Sequence, residues 1–237
     1  MSDTLHVLCA GAVQGVVKAL HARFERESGA KLEARFGAVG AMKEALLAGE
    51  PCDVMIVTEA MIVELQSAGT LSIRAPAPLG RVRSGIAVRR GASVPSAATP
   101  EALKACLRAA PAIYFADPQR ATAGVHFASV LARLELADEL ASRLRTFPDG
   151  ASAMRELVAG EAGAIGCTQI TEILYTPGLV LVGPLPEAFE LATEYTAAAT
   201  ARAAQPVLAQ RFIDLLAGPA THAMRAEAGF EFDQGDP

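Results

Sequence analysis

Arg81 and Arg83 flank Val82 in the run Gly80-Arg-Val-Arg-Ser-Gly85, and in an extended chain that alternation puts both guanidiniums on one face. Two such groups suit a carboxylate or another small anion, because each offers a planar fork of donors and a charge that does not titrate. The bland alternative for either is a solvated face or an ion pair with Glu194. Gln169, closing the run Ala164-Ile-Gly-Cys-Thr-Gln169, adds an amide with both donors and acceptor. Thr58, Thr122 and Thr168 stand at strand ends or helix starts, where a hydroxyl either donates to a ligand or caps a helix. Tyr195 lies on a return strand, where it reaches the same site or covers a hinge. Three groups have the chemistry to move a proton there: His126, Glu172 and Cys9. No spacing singles out one of them, so the catalytic residue stays open. His6, His21 and His222 lack metal-site spacing, and Cys9, Cys52, Cys106 and Cys167 form no CxxC pair. Neither a metal nor any other cofactor is expected, and the cysteines read as buried, reduced thiols.

The elements that must position these groups begin with three strand-to-helix turns made of small residues. Leu5-His-Val-Leu-Cys-Ala-Gly-Ala-Val-Gln-Gly15 carries an apolar strand into a helix near Val13; Arg35-Phe-Gly-Ala-Val-Gly-Ala41 leads to a helix at about Met42; and Tyr114-Phe-Ala-Asp-Pro-Gln-Arg-Ala-Thr-Ala-Gly124 leads to one at about Val125. The first amides of a helix have no helical acceptor, and beside Gly and Ala an anion approaches them closely. Gly11, Ala12, Val13, Val39, Gly40, Ala123 and Gly124 are therefore expected to line an anion site through their backbone. Gly11-Ala-Val-Gln-Gly15 is neither a P-loop, lacking Lys-Ser/Thr, nor a dinucleotide fingerprint, lacking the third Gly. Helix dipoles alone fall short: three supply about 5 kcal/mol at best, whereas micromolar binding needs about 8. A charged side chain, Arg83 above all, has to add the rest.

Around these turns, 237 residues at 51% hydrophobic and 20% charged give a globular chain large enough for two lobes. A net charge of -5 with scattered basic residues gives no footprint for nucleic acid, and the absence of Trp with 5% aromatic residues argues against stacking platforms. No apolar run approaches a membrane span. Strands at 31–36 and 52–57 alternate with helices at 16–28, 42–48 and 61–67, the order of a doubly wound sheet. Pro76 and Pro78 break that pattern, and 81–89 reads as a strand leaving the first lobe. A second series follows, with helices at 100–109, 125–134, 137–143 and 150–159, strands at 112–115 and 164–169, and a helix at 170–174. An extended stretch at 189–199 then returns to a closing helix at 207–216. The expected fold is α/β, two doubly wound lobes joined by two crossing strands with a ligand cleft between them: residues 1–82 and 196–237 in lobe 1, residues 83–195 in lobe 2.

This order resembles the molybdate-binding branch of the type 2 periplasmic binding proteins. It is carried by the first small-residue turn, Asp117-Pro118 with Ala123-Gly124, the closing Phe212-Ile-Asp-Leu-Leu-Ala-Gly-Pro-Ala220 and Ala228-Gly229-Phe230. The resemblance implies a small anion held by helix N-termini and hydroxyls, with lobe closure as the functional motion. The chain departs from that pattern at Ala12, which stands for a serine, at Gly37 to Gly40, which stand for a serine-rich run, and at Cys167 to Gln169, where the family has a tyrosine. With those hydroxyls gone the expected ligand is a carboxylate rather than molybdate. Two function classes follow. One is a binding protein delivering a small anion to an ABC transporter or a sensor. The alternative is a cytoplasmic isomerase of an unsaturated di- or tricarboxylate, since aconitate isomerase is similar to this branch. Met1-Ser-Asp-Thr4 carries no basic, apolar leader, so the chain as given reads as cytoplasmic, or as periplasmic if a signal peptide has been removed.

Overall fold

The computed structural model describes residues 3–72 and 76–232. Residues 1, 2 and 233–237, the two ends of the expected first lobe, lie outside the described residues, and so does the start of the leader reading at Met1-Ser2. The chain divides into two compact units, one made of Met1–Val82 with Thr193–Pro237 and the other of Arg83–Ala192.

In unit 1 the parallel strands β1 (Thr4–Ala10), β2 (Lys31–Gly37) and β3 (Val54–Thr58) lie in the order β2-β1-β3, and β9 (Ala192–Ala199) runs antiparallel on β3. Helices α1 (Gln14–Ser28), α2 (Val39–Leu47) and α3 (Glu59–Ser67) each follow one parallel strand, and α9 (Pro206–Ala217) and α10 (His222–Glu227) close the unit. The β3 run Val54 to Val57 is fully buried because helices cover both faces of a parallel sheet. Helix α1 buries Val16, Val17, Leu20 and Phe24 on one stripe, and its end is fixed by Gly29 at φ 73, a left-handed position that costs glycine little. Phe24 meets Phe212 of α9 edge-on at 5.0 Å, joining the two sequence segments in one core. Asp53, 2% exposed, ties the same segments from the other end of the sheet: its carboxylate accepts from the His6 N–H and the Gln205 N–H, both at 2.9 Å.

Unit 2 repeats the plan. Strands β5 (Ile113–Ala116), β6 (Leu144–Phe147) and β7 (Ile165–Gln169) are parallel, in the order β7-β5-β6. The long β4 (Ala77–Arg89) pairs antiparallel with β7, and β8 (Leu179–Pro184) pairs antiparallel with β4. Helices α4 (Pro100–Ala109), α5 (Thr122–Arg133) and α6 (Ala137–Leu140) accompany one core, and α7 (Gly150–Ala159) and α8 (Ile170–Tyr175) the other. Adjacent β4 residues show the two faces: Ile86 belongs to the core with Leu103, Phe115 and Phe127, Ala87 to the core with Met154 and Leu157. Strand β4 begins in unit 1 and continues into unit 2.

Several elements differ from the expectations. Strand β4 begins at Ala77 and takes in Pro78, which the sheet tolerates near a strand end. Helices α2 and α5 begin at Val39 and Thr122, three residues ahead of the expected Met42 and Val125, because periodicity registers only once apolar residues recur. The expected helix at 137–143 is one α-helical turn of four residues followed by a 3-10 turn, Ala141–Arg143. Strand β6 and helix α10 are absent from the sequence reading; β6 shows only four residues, two of them charged or polar, and its order comes from pairing with β5.

Candidate functional site

The earlier helix starts matter chemically, since they place the candidate backbone groups in the first helical turns. In unit 1, Gly11, Ala12 and Val13 form a 3-10 turn between β1 and α1, and Val39 and Gly40 open α2. In unit 2, Thr122, Ala123 and Gly124 open α5. None of these starts has a side-chain cap: the N-cap residues are Ala10 for the 3-10 turn, Val13 for α1, Ala38 for α2 and Ala121 for α5. By contrast Thr58 caps α3, Thr99 caps α4 and Asp149 caps α7. Helices α6, α9 and α10 also lack a side-chain cap, so that lack alone marks nothing. Uncapped α8 also follows a parallel strand, β7; what distinguishes α1, α2 and α5 is that small residues, Gly11-Ala12, Gly40-Ala41 and Ala123-Gly124, make the turn after the carboxyl end of a parallel strand, the edge where α/β sheets bind ligands.

At that edge of unit 1, Thr58 accepts from the Met61 N–H at 3.4 Å and faces Tyr195, its register partner on β9, which is 2% exposed. At the corresponding edge of unit 2, Asp117 fixes the turn into α5, its Oδ1 accepting from the N–H groups of Gln119 and Arg120 at 2.7 and 3.2 Å. Gly124 fits only as glycine: a Cβ there would run into the carbonyl oxygens of Ala116 and Asp117. Gln169 is buried and lies opposite Ser84 in the β4–β7 register. Directly opposed residues share a face, so the amide and the hydroxyl sit side by side. Ser84 Oγ is buried with no hydrogen-bond partner among the described residues.

On the other face of β7, Thr168 donates its hydroxyl to Glu172 Oε2 at 2.5 Å, and both are buried. This carboxyl lies against the first turn of α7: a Cβ at Gly150 would overlap both Glu172 Oε2 and Thr168 Oγ1. Burial pushes the Glu172 carboxyl up to about 7 and the charge of Asp149 adds to the rise, while the Thr168 hydroxyl and the N–H groups of Ala151 and Gln169 pull it back.

The other expected proton carriers have different tasks. Cys9 is buried, its thiol donates to the Ala10 carbonyl at 3.3 Å, and burial holds it well above the ordinary thiol range, so no thiolate is at hand. Cys167 is raised by burial too. His126 spends Nε2 on the Phe189 carbonyl at 2.7 Å, stapling α5 to the turn before β9. The arginine pair also separates. The chain passes from one unit to the other at Val82, so Arg81 and Arg83 fall in different units. Arg81 lines a cavity of about 360 Å³ with Glu194, His222, Arg225 and Phe232. Arg83 lines one of about 580 Å³ with Ala97, Val182 and Leu185, and it forms an ion pair with Glu190 at 3.4 Å. Ser84 and the Gly150-Ala151 turn were missed in the sequence. Ser84 was readable, being the one polar residue in the buried phase Val82, Ser84, Ile86; the α7 start gave only the Asp149 capping signal.

Comparison with known proteins gives this architecture a family. The family profile described as bacterial extracellular solute-binding protein matches residues 5–231. The chain belongs to that family. It is similar to the periplasmic molybdate-binding protein of Azotobacter vinelandii, at TM-score 0.80 and 20% identity over 97% of this chain and 100% of that one. The sulfate-binding protein SubI of Mycobacterium tuberculosis H37Rv aligns at TM-score 0.73 and 17% identity over 98% and 88%. At such identities the likeness is one of fold. Aconitate isomerase of a Pseudomonas species is 26% identical over 220 residues, 90% of this chain and 82% of that protein. Among the described residues no helix is long and apolar enough to cross a membrane, and no group of three His, Cys, Asp or Glu residues is placed to hold a metal.

Proposed function

We propose that this solute-binding protein binds a small carboxylate-bearing anion and passes it to a transporter. The carrying observation is that uncapped first turns built from Gly and Ala follow the carboxyl ends of parallel strands in both units, at Gly11 to Val13, Val39-Gly40 and Thr122 to Gly124. The molybdate- and sulfate-binding proteins it resembles make an anion the natural class. Ala12 and the Gly37 to Gly40 turn offer no hydroxyl, which favours a carboxylate met by a guanidinium over a tetrahedral oxyanion met by hydroxyls. The extracellular description of the family supports delivery to a transporter, and the exported alternative of the two locations. Isomerisation has less behind it: its support is one relative at 26% identity, and two of the three candidate bases, Cys9 and His126, are otherwise occupied.

The test is a thermal-shift and calorimetric panel of succinate, cis-aconitate, citrate, sulfate and molybdate. A carboxylate present at a hundredfold its Kd should stabilise the chain by about 2.7 kcal/mol. Arg83→Met should weaken that carboxylate ten- to a hundredfold. Submicromolar molybdate binding without any carboxylate response would overturn the selectivity, and turnover of cis-aconitate would establish the isomerase instead.

A further inference from the structure

We propose that the antiparallel strands supply hydroxyl donors to the anion, Ser84 of β4 in unit 2 and Thr193 of β9 in unit 1. The proposal rests on the anion-binding reading above and adds donors that Ala12 and the Gly37 to Gly40 turn do not carry. Both side-chain oxygens are buried with no hydrogen-bond partner among the described residues, which are themselves 1% and 8% exposed. A hydroxyl in that condition has given up water without a replacement, and a bound oxyanion restores the lost bond. The Ser84 backbone is already engaged: its N–H donates to the Leu191 carbonyl at 3.3 Å and its carbonyl accepts from the Leu185 N–H at 3.0 Å. Its hydroxyl is what remains to be satisfied.

Each hydroxyl lies on the sheet face that an uncapped helix covers. In unit 2, Ser84 shares its face with Ile86, which packs in one core with Phe115 and with Phe127 of α5, and those two rings meet edge-on at 5.3 Å. Ser84 stands opposite Gln169, the last residue of β7, while Gly124 in the first turn of the twelve-residue α5 abuts the carbonyls of Ala116 and Asp117 at the end of β5. Strands β5 and β7 are neighbours, so the hydroxyl, Gln169 and the helix start line up along one edge of one face. Unit 1 repeats the arrangement. Thr193 lies two residues from Tyr195, which faces Thr58 at the end of β3, and so stands just past that carboxyl end. Its face continues through Ala197, Ile56, Cys9 and Phe36, successive partners across β9, β3, β1 and β2, and Lys18 of the fifteen-residue α1 lies over the Phe36 ring at 5.4 Å. In both units the hydroxyl sits on an antiparallel strand two places from the strand that feeds the helix. An anion at the helix amides can therefore take a further hydrogen bond from the same face of the sheet.

The experiment is calorimetry of the full chain with succinate, cis-aconitate and molybdate at pH 7, together with thermal melts without any anion, for the wild type and for Ser84→Ala, Thr193→Val and Thr193→Ser. Each hydroxyl-less variant, Ser84→Ala and Thr193→Val, should bind the anion that the wild type binds about tenfold more weakly, the effect of losing one hydrogen bond to a charged group. Thr193→Ser keeps the hydroxyl and should stay within about threefold of the wild type. Without anion, Ser84→Ala should melt at or above the wild-type temperature, because the hydroxyl it removes has no partner to lose. Wild-type affinity in either hydroxyl-less variant, an equal loss in Thr193→Ser, or a lower unliganded melting temperature in Ser84→Ala overturns this proposal alone. No heat and no thermal shift with any of the three anions in the wild type overturns the anion-binding reading and this proposal with it.

Discussion

Glu172 illustrates how one residue type takes its chemistry from its surroundings. The sequence marks it only as one carboxylate among several, whereas the fold buries it beside Thr168, Gly150 and Asp149 and pushes it up to about 7. Because its folded-state affinity for protons exceeds its unfolded one, its contribution to stability is fully present below about pH 4.5 and is lost as pH rises through about 7. Urea unfolding of the wild type and of Glu172→Gln at pH 5 and pH 8 should show the variant gaining on the wild type by up to about 3 kcal/mol across that interval. A difference that stays constant with pH would mean the carboxyl titrates normally. Other residues were legible in kind but not in task. Gln169 and Ser84 are polar residues in buried strand phases, and only the β4–β7 register brings them together. His126 and Cys9 have reactive side chains, yet their hydrogen bonds to Phe189 and Ala10 are set by long-range packing that a linear pattern does not contain.

At the scale of elements, long periodic segments were readable and short or context-dependent ones were not. Helices α4 and α7 announce themselves by a capping Thr99 before Pro100 and a capping Asp149, each with apolar residues at helical spacing. Helices α2 and α5 start earlier than their periodicity suggests because Val39-Gly40 and Thr122 to Gly124 carry no cap signal. Those early starts are also what makes the turns candidates for binding. Gly124 is the sharpest test, since a Cβ there meets backbone oxygens of Ala116 and Asp117 that cannot rotate away. Gly124→Ala should cost about 1–3 kcal/mol and weaken anion binding, while Gly183→Ala, with nothing within 4 Å of its Cβ, should melt within about 0.5 kcal/mol of wild type. Equal melting temperatures for the two variants would show that the α5 start yields more easily than its geometry implies.

For the whole molecule, the two units differ in how sequence supplies them. Residues 83–192 are continuous and hold two cores of their own, around Phe115 and Phe127 on one sheet face and around Met154 and Leu157 on the other. Unit 1 is discontinuous: β3 needs β9 in the register Val54↔Ala199 to Thr58↔Tyr195, Phe24 packs on Phe212, Asp53 accepts from Gln205, and Arg81 bridges Glu231. Leaving Asp53 in place but deleting its distant partner strands the carboxylate, and removing β9 exposes an apolar strand edge. Residues 83–192 expressed alone should therefore melt cooperatively, as judged by circular dichroism and protected amide hydrogens, whereas residues 1–82 alone should not fold. Joining 193–237 to residue 82 through a flexible linker should restore a cooperative unit, and Asp53→Ala in that fusion should cost about 1–3 kcal/mol by leaving two partly buried N–H groups without their acceptor. Cooperative folding of residues 1–82 on their own would show that the returning segment decorates the first sheet without completing it.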